Sequence, residues 1–340
     1  MKSNLYIVDG PLQLLNAIEA KTKFAVQGDH NILVIRYLIG EVNKRQVINC
    51  LKLSTWNQVI EIRPFLLNFS TYVKTLLLVK SLKKKESLKV RYLFIGGFFY
   101  QANHFFKINL NPEYSFLLDD GSASIKVQEE MGNRIKIQDL SKGRAQWFLK
   151  KLISQFLGLK LPTYLRYDFF TFFQLVEVIG QERVRNEFLF LGEKFSKKEF
   201  NEEKVFFLGA PLVEIKIVSA DNYWNSVLQI QEYYFSKNKE FIYVMHRREV
   251  QSSSGHIEGL GIRFVSFDNP IELELLFHDN FPRSIGSFYS SALMSLHQLY
   301  NGLDIRSFRL KKEFISDEYQ SNIESIYEYY SSYIEVVELN

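Results

Sequence analysis

Residues 116–124 read FLLDDGSAS, an apolar run that closes in two adjacent carboxylates and a glycine. A carboxylate at such a point is placed to take a proton from a hydroxyl as that hydroxyl attacks another centre, which is the chemistry of group transfer. Neighbouring residues of a strand point to opposite faces, so Asp119 and Asp120 cannot serve a substrate in the same way, and Gly121 permits the sharp turn that follows. The same pair would equally cap that turn, since aspartate is a common turn residue. Other stretches also put polar groups just after an apolar run. His246, Arg247, Arg248 and Glu249 follow FIYVM; imidazole and guanidinium there suit the binding or protonation of a departing phosphate, or else make a solvated basic turn. Ser290 and Ser291, in SIGSFYSSAL, offer hydroxyls and first-turn N–H groups to an anion, or an ordinary helix cap. Gly209 to Pro211 follow VFFL. Glu272 opens the run IELELLF, where a carboxylate accepts from ribose hydroxyls or simply favours the helix dipole.

These groups act together only if the chain carries their strand ends to one edge. NLYIVDG reads as a buried strand, and GPLQLLNAIEAKTKF as the helix after a Gly-Pro turn. NILVIRYL (31–38), VIEIRPF (59–65), VRYLFIGG (90–97) and SFLLDD (115–120) read as further strands, with a helix over residues 72–82. Near-continuous apolar strands alternating with helices predict a parallel sheet covered on both faces. Residues 141–200 are rich in Lys and Phe with helical spacing in WFLKKLISQFLGL and FFTFFQLVEVIG, and read as helical linker and interdomain packing. A second alternating series begins at EKVFFLGAP (203–211) and runs through the helix YWNSVLQIQEYYFSKN, the strands FIYVMHRRE and IRFVSF, the helix IELELLF, a short strand at SIGSF and the helix SSALMSLHQLY. The expectation is an α/β chain of two Rossmann-like parallel-sheet domains facing each other across a cleft. The expected boundaries are 1–160, a helical linker over 161–200, a second domain over 201–316 and a C-terminal helix over 317–340. Ligands of open parallel sheets bind beyond the carboxyl ends of strands, so the polar stretches would meet there.

The 340 residues are 46% apolar, enough for two cores. A net charge of +4 from 42 basic and 38 acidic residues is too thinly spread to imply nucleic acid, though it slightly favours an anionic substrate or surface. One cysteine, Cys50, excludes an internal disulfide or a cysteine-based metal site and fits a reducing compartment. Asp9, Gly10 and Pro11 break the first apolar run before a signal-peptide core forms, and no window reaches the roughly eighteen apolar residues of a membrane span, so a cytoplasmic location is expected. Lys83, Lys84 and Lys85, with Lys150 and Lys151 beside Trp147, either allow peripheral contact with an anionic inner membrane face or are solvated surface. The 15% aromatic content permits a homodimer. The six histidines are not spaced as zinc ligands, and there is no Asp-x-Asp pair, phosphate loop, dinucleotide fingerprint or nucleophile elbow. No metal or resident cofactor is therefore expected.

Taken in order, NLYIVDGPLQLLNA, the DDG of 119–121, the HRRE of 246–249 and SIGSFYSSAL resemble the bacterial sialyltransferases of GT-B type. The resemblance is nearest to glycosyltransferase family 52, the lipooligosaccharide sialyltransferases, with kinship to the bacterial polysialyltransferases, and it runs over nearly the whole chain. It implies inverting transfer of N-acetylneuraminic acid from the co-substrate CMP-N-acetylneuraminic acid to a hydroxyl of a terminal galactose or sialic acid, on a lipooligosaccharide or capsular glycan, without a metal. It further implies Asp119 as general base with Asp120 in support, His246 on the leaving phosphate, Ser290 and Ser291 as phosphate ligands and Glu272 on the cytidine ribose. By the same resemblance Gly209 lines the nucleotide pocket, and Asp9 and Gln13 face sugar or acceptor. The family's histidine is usually followed by proline; here Arg247 follows, and its guanidinium is expected to add to phosphate or sugar-carboxylate binding. Two alternatives stay open: a GT-B transferase for another nonulosonic acid or nucleotide sugar, and a catalytically silent subunit of a capsule assembly complex.

Overall fold

The first apolar run, Ser3–Val8, is a strand buried along its whole length in the computed structural model, which describes all residues except 1, 38–39, 64–67, 133–143, 164–165, 195–198, 250–252, 279 and 340. That strand, β1, leads through α1 (Pro11–Phe24), β2 (His30–Arg36), α2 (Glu41–Leu51), β3 (Gln58–Ile62), α3 (Asn68–Lys83), β4 (Val90–Ile95), α4 (His104–Leu110), β5 (Tyr114–Leu118), α5 (Ala123–Gly132), α6 (Arg144–Phe156), β6 (Asp168–Thr171) and β7 (Arg183–Arg185). The strands pair in the order β3-β2-β1-β4-β5-β6-β7, every pair parallel. After α7 (Leu189–Gly192) come β8 (Phe200–Leu208), α8 (Ala220–Phe235), β9 (Glu240–Val244), α9 (Ser253–Gly259), β10 (Phe264–Val265), α10 (Ile271–Phe277), β11 (Phe281–Ser287), α11 (Ala292–Leu299), β12 (Asp304–Arg309), α12 (Asp317–Ser331) and β13 (Glu335–Glu338). These strands pair β10-β9-β8-β11-β12-β13, again all parallel. The chain divides into two units, Met1–Phe190 and Leu191–Asn340. Two Rossmann-like parallel sheets with flanking helices make a GT-B-type fold.

Each sheet grows outward from its first strand and then starts again on that strand's other side. The strand order therefore reverses between β1 and β4, and between β8 and β11. Adjacent connections leave the sheet in opposite directions at these points, which opens the crevice where ligands of such sheets bind.

Register carries the packing. Tyr6, Phe94 and Phe116 are partners across β1, β4 and β5, and their rings stack at 5.0 Å and 5.4 Å. Phe24, the last residue of α1, closes over this row at 5.3 Å from Phe94 and 5.2 Å from Phe116. Such contacts add about 0.5–1.5 kcal/mol per pair beyond the area they bury. In the second unit the buried Phe207 of β8 meets Phe241 and Tyr243 of β9, Phe308 of β12, and Phe288 just beyond β11.

The stretch expected as helical linker, 161–200, supplies β6 and β7 instead. DFFT buries Phe169, Phe170 and Thr171 together, which suits a strand covered on both faces and not a helix with one wet side. The tail is also more than a helix, because β13 follows α12 and pairs with β12. The ends of two expected strands, residue 38 and residues 64–65, lie outside the described residues.

Candidate active site

The carboxyl ends of β1, β4, β5 and β6 bring one group of side chains together. Asp119 follows β5 directly and is buried, with 1% of its surface exposed. Its two oxygens accept from the Thr171 hydroxyl at 2.7 Å and the Phe172 N–H at 2.8 Å, both just past or at the end of β6. Asn16 of α1 donates to the Asp119 carbonyl at 3.2 Å and itself accepts from Asn186 at 2.9 Å. Burial raises the Asp119 carboxyl to about 7 against the pull of Thr171, Phe172 and Ser124, and the neighbouring charge of Asp120 adds to the rise. Asp120 faces the other way, as strand alternation requires, and is exposed. Gln13 of α1 donates to one of its oxygens at 2.6 Å, and the Asp120 N–H donates to Ser124 at 3.2 Å. Gly121 has φ +68°, the left-handed conformation that glycine adopts without strain, so the turn can close immediately after the pair.

Gln13 is held from behind, accepting at 2.7 Å from the Asp9 N–H. Asp9 lies inside the unit, where Arg36 grips both its oxygens and stacks on the Tyr100 ring at 3.1 Å from the centroid. Of the two residues expected to face sugar or acceptor, Gln13 therefore reaches the carboxylate pair and Asp9 anchors the turn beneath it. A methyl at Gly96 would overlap Gln13, and one at Gly97 would overlap the Asp9 carboxylate, so the bare backbone after β4 is what lets these side chains approach. Buried His104 fixes the same loop, with Nε2 on the Phe98 carbonyl at 2.6 Å and Nδ1 on the Tyr167 hydroxyl at 2.9 Å. Burial lowers this imidazole to about 4, so it is a neutral brace.

The second group lies at the carboxyl ends of β8, β9 and β11. Gly209, first residue after β8, donates to Val244 at 2.9 Å. Across the reversal point, the Ser287 hydroxyl donates to Leu208 at 2.7 Å, and Ser290 and Ser291 then lead into α11. Both serines are half-buried; Ser290 accepts from the Ala292 N–H at 3.3 Å, while no side-chain cap is made by Ser291. His246 is half-buried two residues past β9. The Arg248 N–H donates to its Nδ1 at 3.1 Å, which leaves the ring proton on Nε2. Burial, with the charges of Arg247 and Arg248, lowers His246 to about 3, so it rests as a neutral Nε2–H donor.

Glu249 shapes that loop. Its oxygens accept from the His246 N–H and the Tyr243 hydroxyl, and Tyr243 meets the Tyr223 hydroxyl at 2.8 Å. Tyr223 in turn accepts from the Ala210 N–H at 3.0 Å, so one buried chain ties the loop after β9 to the loop after β8. Burial raises Glu249 to about 7. Gly209 sits against this chain, and a methyl there would run into the Tyr243 hydroxyl and the Glu249 carboxylate. Gly209→Ala is expected to lower stability by ~1–3 kcal/mol, the usual size of overpacking, which thermal unfolding would read. Glu272, by contrast, turns inward: it is 4% exposed and accepts from Ser295 at 2.7 Å. Its burial raises the carboxyl, and the nearby Arg247 charge opposes the rise.

Sequence reasoning named Glu249 in the stretch after FIYVM without giving it a role, and it missed Arg36 and Thr171 as members of these groups. The rule that singled out the others would have found both, because each is a polar residue closing an apolar strand.

A family model described as alpha-2,8-polysialyltransferase matches residues 4–309. The chain belongs to that family. This polysialyltransferase-family chain is similar in fold to the alpha/beta-galactoside alpha-2,3-sialyltransferase of Photobacterium phosphoreum, with a TM-score of 0.53 and 11% identity over 100% of this chain and 99% of that one. It is likewise similar to a putative UDP-N-acetylglucosamine 2-epimerase of Listeria monocytogenes, with a TM-score of 0.55 and 9% identity over 100% and 85% of the two chains. The UDP-GlcNAc 2-epimerase of Methanocaldococcus jannaschii gives 0.53 and 11% over 100% and 89%. At such identities the likenesses show the fold alone. No curated protein is significantly similar in sequence. Of the two groups the sequence resembles, the family match falls on the polysialyltransferases. The architecture is that of a GT-B glycosyltransferase suited to nucleotide-sugar transfer. Among the described residues no helix is long and apolar enough to cross a membrane, and no three His, Cys, Asp or Glu side chains are grouped to hold a metal ion.

Proposed function

We propose that this chain is a sialyltransferase that moves a sialic acid from its CMP donor to a hydroxyl at the end of a glycan, inverting the anomeric carbon. The observation that carries the reading is the family match across residues 4–309, a span that contains both groups of side chains. In the proposed reaction the acceptor hydroxyl gives its proton to Asp120 while its oxygen bonds to the anomeric carbon. The bond from that carbon to the phosphate oxygen breaks, and CMP leaves with the electron pair. Positive charge grows on the sugar ring and negative charge on the phosphate, so donors aimed at the phosphate bind most tightly as the bond breaks. His246 Nε2–H, the hydroxyls of Ser290 and Ser291 and the guanidinium of Arg247 are those donors.

The base assignment departs from the resemblance, which favours Asp119. Two features support Asp120: it is exposed, and Gln13 orients it, whereas both oxygens of Asp119 are taken up by β6. Asp119 is then a positioning residue whose ionisation strengthens its neighbour as a base. Glu272 acts through its charge near Arg247, and Gly209 by leaving room for the Tyr243–Glu249 chain. Incubating the protein with CMP-N-acetylneuraminic acid and either lactose or a short α2,8-linked sialic acid oligomer, with mass spectrometry of the product, tests the reading. Extension of the sialic acid oligomer or the galactoside is expected; CMP release with neither acceptor extended would contradict transfer.

A further inference from the structure

Glu249 closes the loop after β9 on its histidine. Its N–H donates to the His246 carbonyl at 2.9 Å while its carboxylate accepts from the His246 N–H, so one residue holds both backbone groups of His246. The other carboxylate oxygen accepts from the Tyr243 hydroxyl. A hydroxyl has one proton to give, so with Glu249 ionised the protons of the chain can run only one way. Tyr243 donates to Glu249, Tyr223 donates to Tyr243 at 2.8 Å, and the Ala210 N–H donates to Tyr223 at 3.0 Å. Every donor is then used. A proton on Glu249 ends this order. If it sits on the oxygen facing Tyr243, it reverses the two hydroxyls and leaves the buried Tyr223 proton pointing at the Ala210 N–H, donor against donor. If it sits on the other oxygen, it displaces the His246 N–H. An unsatisfied buried donor is costly either way, and the link between the loops after β8 and β9 is lost.

Resting on the CMP reading above, we infer that Glu249 is a positioning residue for the donor nucleotide, whose negative charge locks the loops after β8 and β9 in the arrangement that binds CMP. The charged and titratable groups about it are Glu214 from the loop after β8, Tyr223 of α8, Tyr243 of β9 and, in its own loop, His246, Arg247 and Arg248. Burial raises the Glu249 carboxyl to about 7 against the pull of Tyr243 and His246, and the Glu214 charge adds to the rise. The lock is therefore complete above neutrality and opens as pH falls through about 7. Affinity for the nucleotide follows the locked share of the protein.

The test is calorimetric titration of the full chain with CMP across neutrality, wild type beside Glu249→Gln and Tyr223→Phe. Between about pH 6 and about pH 8 wild-type affinity is expected to rise about tenfold, as the ionised share of a group near 7 does, beyond the change that titration of CMP itself gives. Glu249→Gln keeps the size of the side chain but has one accepting oxygen for two donors. Its affinity should stay at the wild type's low-pH level and show only the titration of CMP. Tyr223→Phe leaves the carboxylate in place and removes the hydroxyl that feeds Tyr243, so the ionised form loses support and the midpoint of the rise should move to higher pH. A residue that merely braced the loop would weaken binding equally at every pH. A rise of wild-type size in Glu249→Gln, or an unmoved midpoint in Tyr223→Phe, would overturn the inference; where circular dichroism shows Glu249→Gln unfolded, the Tyr223→Phe midpoint decides. CMP binding without the rise overturns this inference alone, whereas no CMP binding at any pH overturns the proposed function and the inference with it.

Discussion

Asp120→Asn is expected to lower transfer by ~10²–10⁴-fold, the contribution of a positioned general base, with CMP affinity unchanged. The substitution keeps the side chain's size and its place beside Gln13 but removes its capacity to take a proton. Asp119→Asn is expected to act differently. Burial holds the Asp119 carboxyl at about 7, so in the wild type its proton is lost as pH rises through neutrality. The new charge beside Asp120 raises the basicity of that carboxylate, and the rate of transfer therefore climbs through about pH 7. In Asp119→Asn the climb disappears, leaving a slower rate that is flat through neutrality. A residue that only braced the turn would lower the rate without changing the profile. If instead Asp120→Asn stays active and Asp119→Asn is dead at every pH, the base is Asp119, as the family resemblance implies.

The second large effect is at His246. Its Nδ1 is engaged by the Arg248 N–H, so Nε2–H is the group left to meet a phosphate, and removal of one such donor from a developing charge costs about 10²–10³ in kcat. His246→Ala is expected to show that loss, with His246→Gln recovering part of it because its amide N–H reaches a similar position. Since burial and two arginines keep the free imidazole near 3, the pH profile of kcat/KM in the wild type should carry no limb near 6.5 from this residue. A limb there that vanishes in His246→Gln would show that His246 works as a titrating acid in the free protein.

Both sets of side chains owe their place to strand order, and much of that was legible. Val, Ile and Leu runs such as NLYIV and NILVIR have one stable use in a chain of this length, a parallel strand covered on both faces. The polar residues that end those runs mark the carboxyl edge, which is how Asp119, Asp120, His246 and Ser290 were found. What stayed hidden depends on contacts distant in sequence. Nothing local to DDG says that β6, some fifty residues on, supplies the two donors that bury Asp119 and leave Asp120 outside. The aromatic run DFFTFFQ has helical spacing over a longer window, and only its docking beside β5 fixes it as a strand. Glu272 sits where a ribose ligand would be expected, but Ser295, a turn into the next helix, draws it inward. Gly209 is plain in the sequence, yet its reason, the buried Tyr223–Tyr243–Glu249 chain, is assembled from three elements.

The most direct test of the central claim is calorimetric titration of the purified chain with CMP, UDP and GDP, followed by turnover of CMP-N-acetylneuraminic acid in the presence of EDTA. Selective CMP binding, with donor turnover that EDTA leaves intact, is the predicted result. Preference for UDP or GDP, or no nucleotide binding at all, would contradict it: the first would make this a transferase for another sugar nucleotide, and the second would leave a family member without catalytic function.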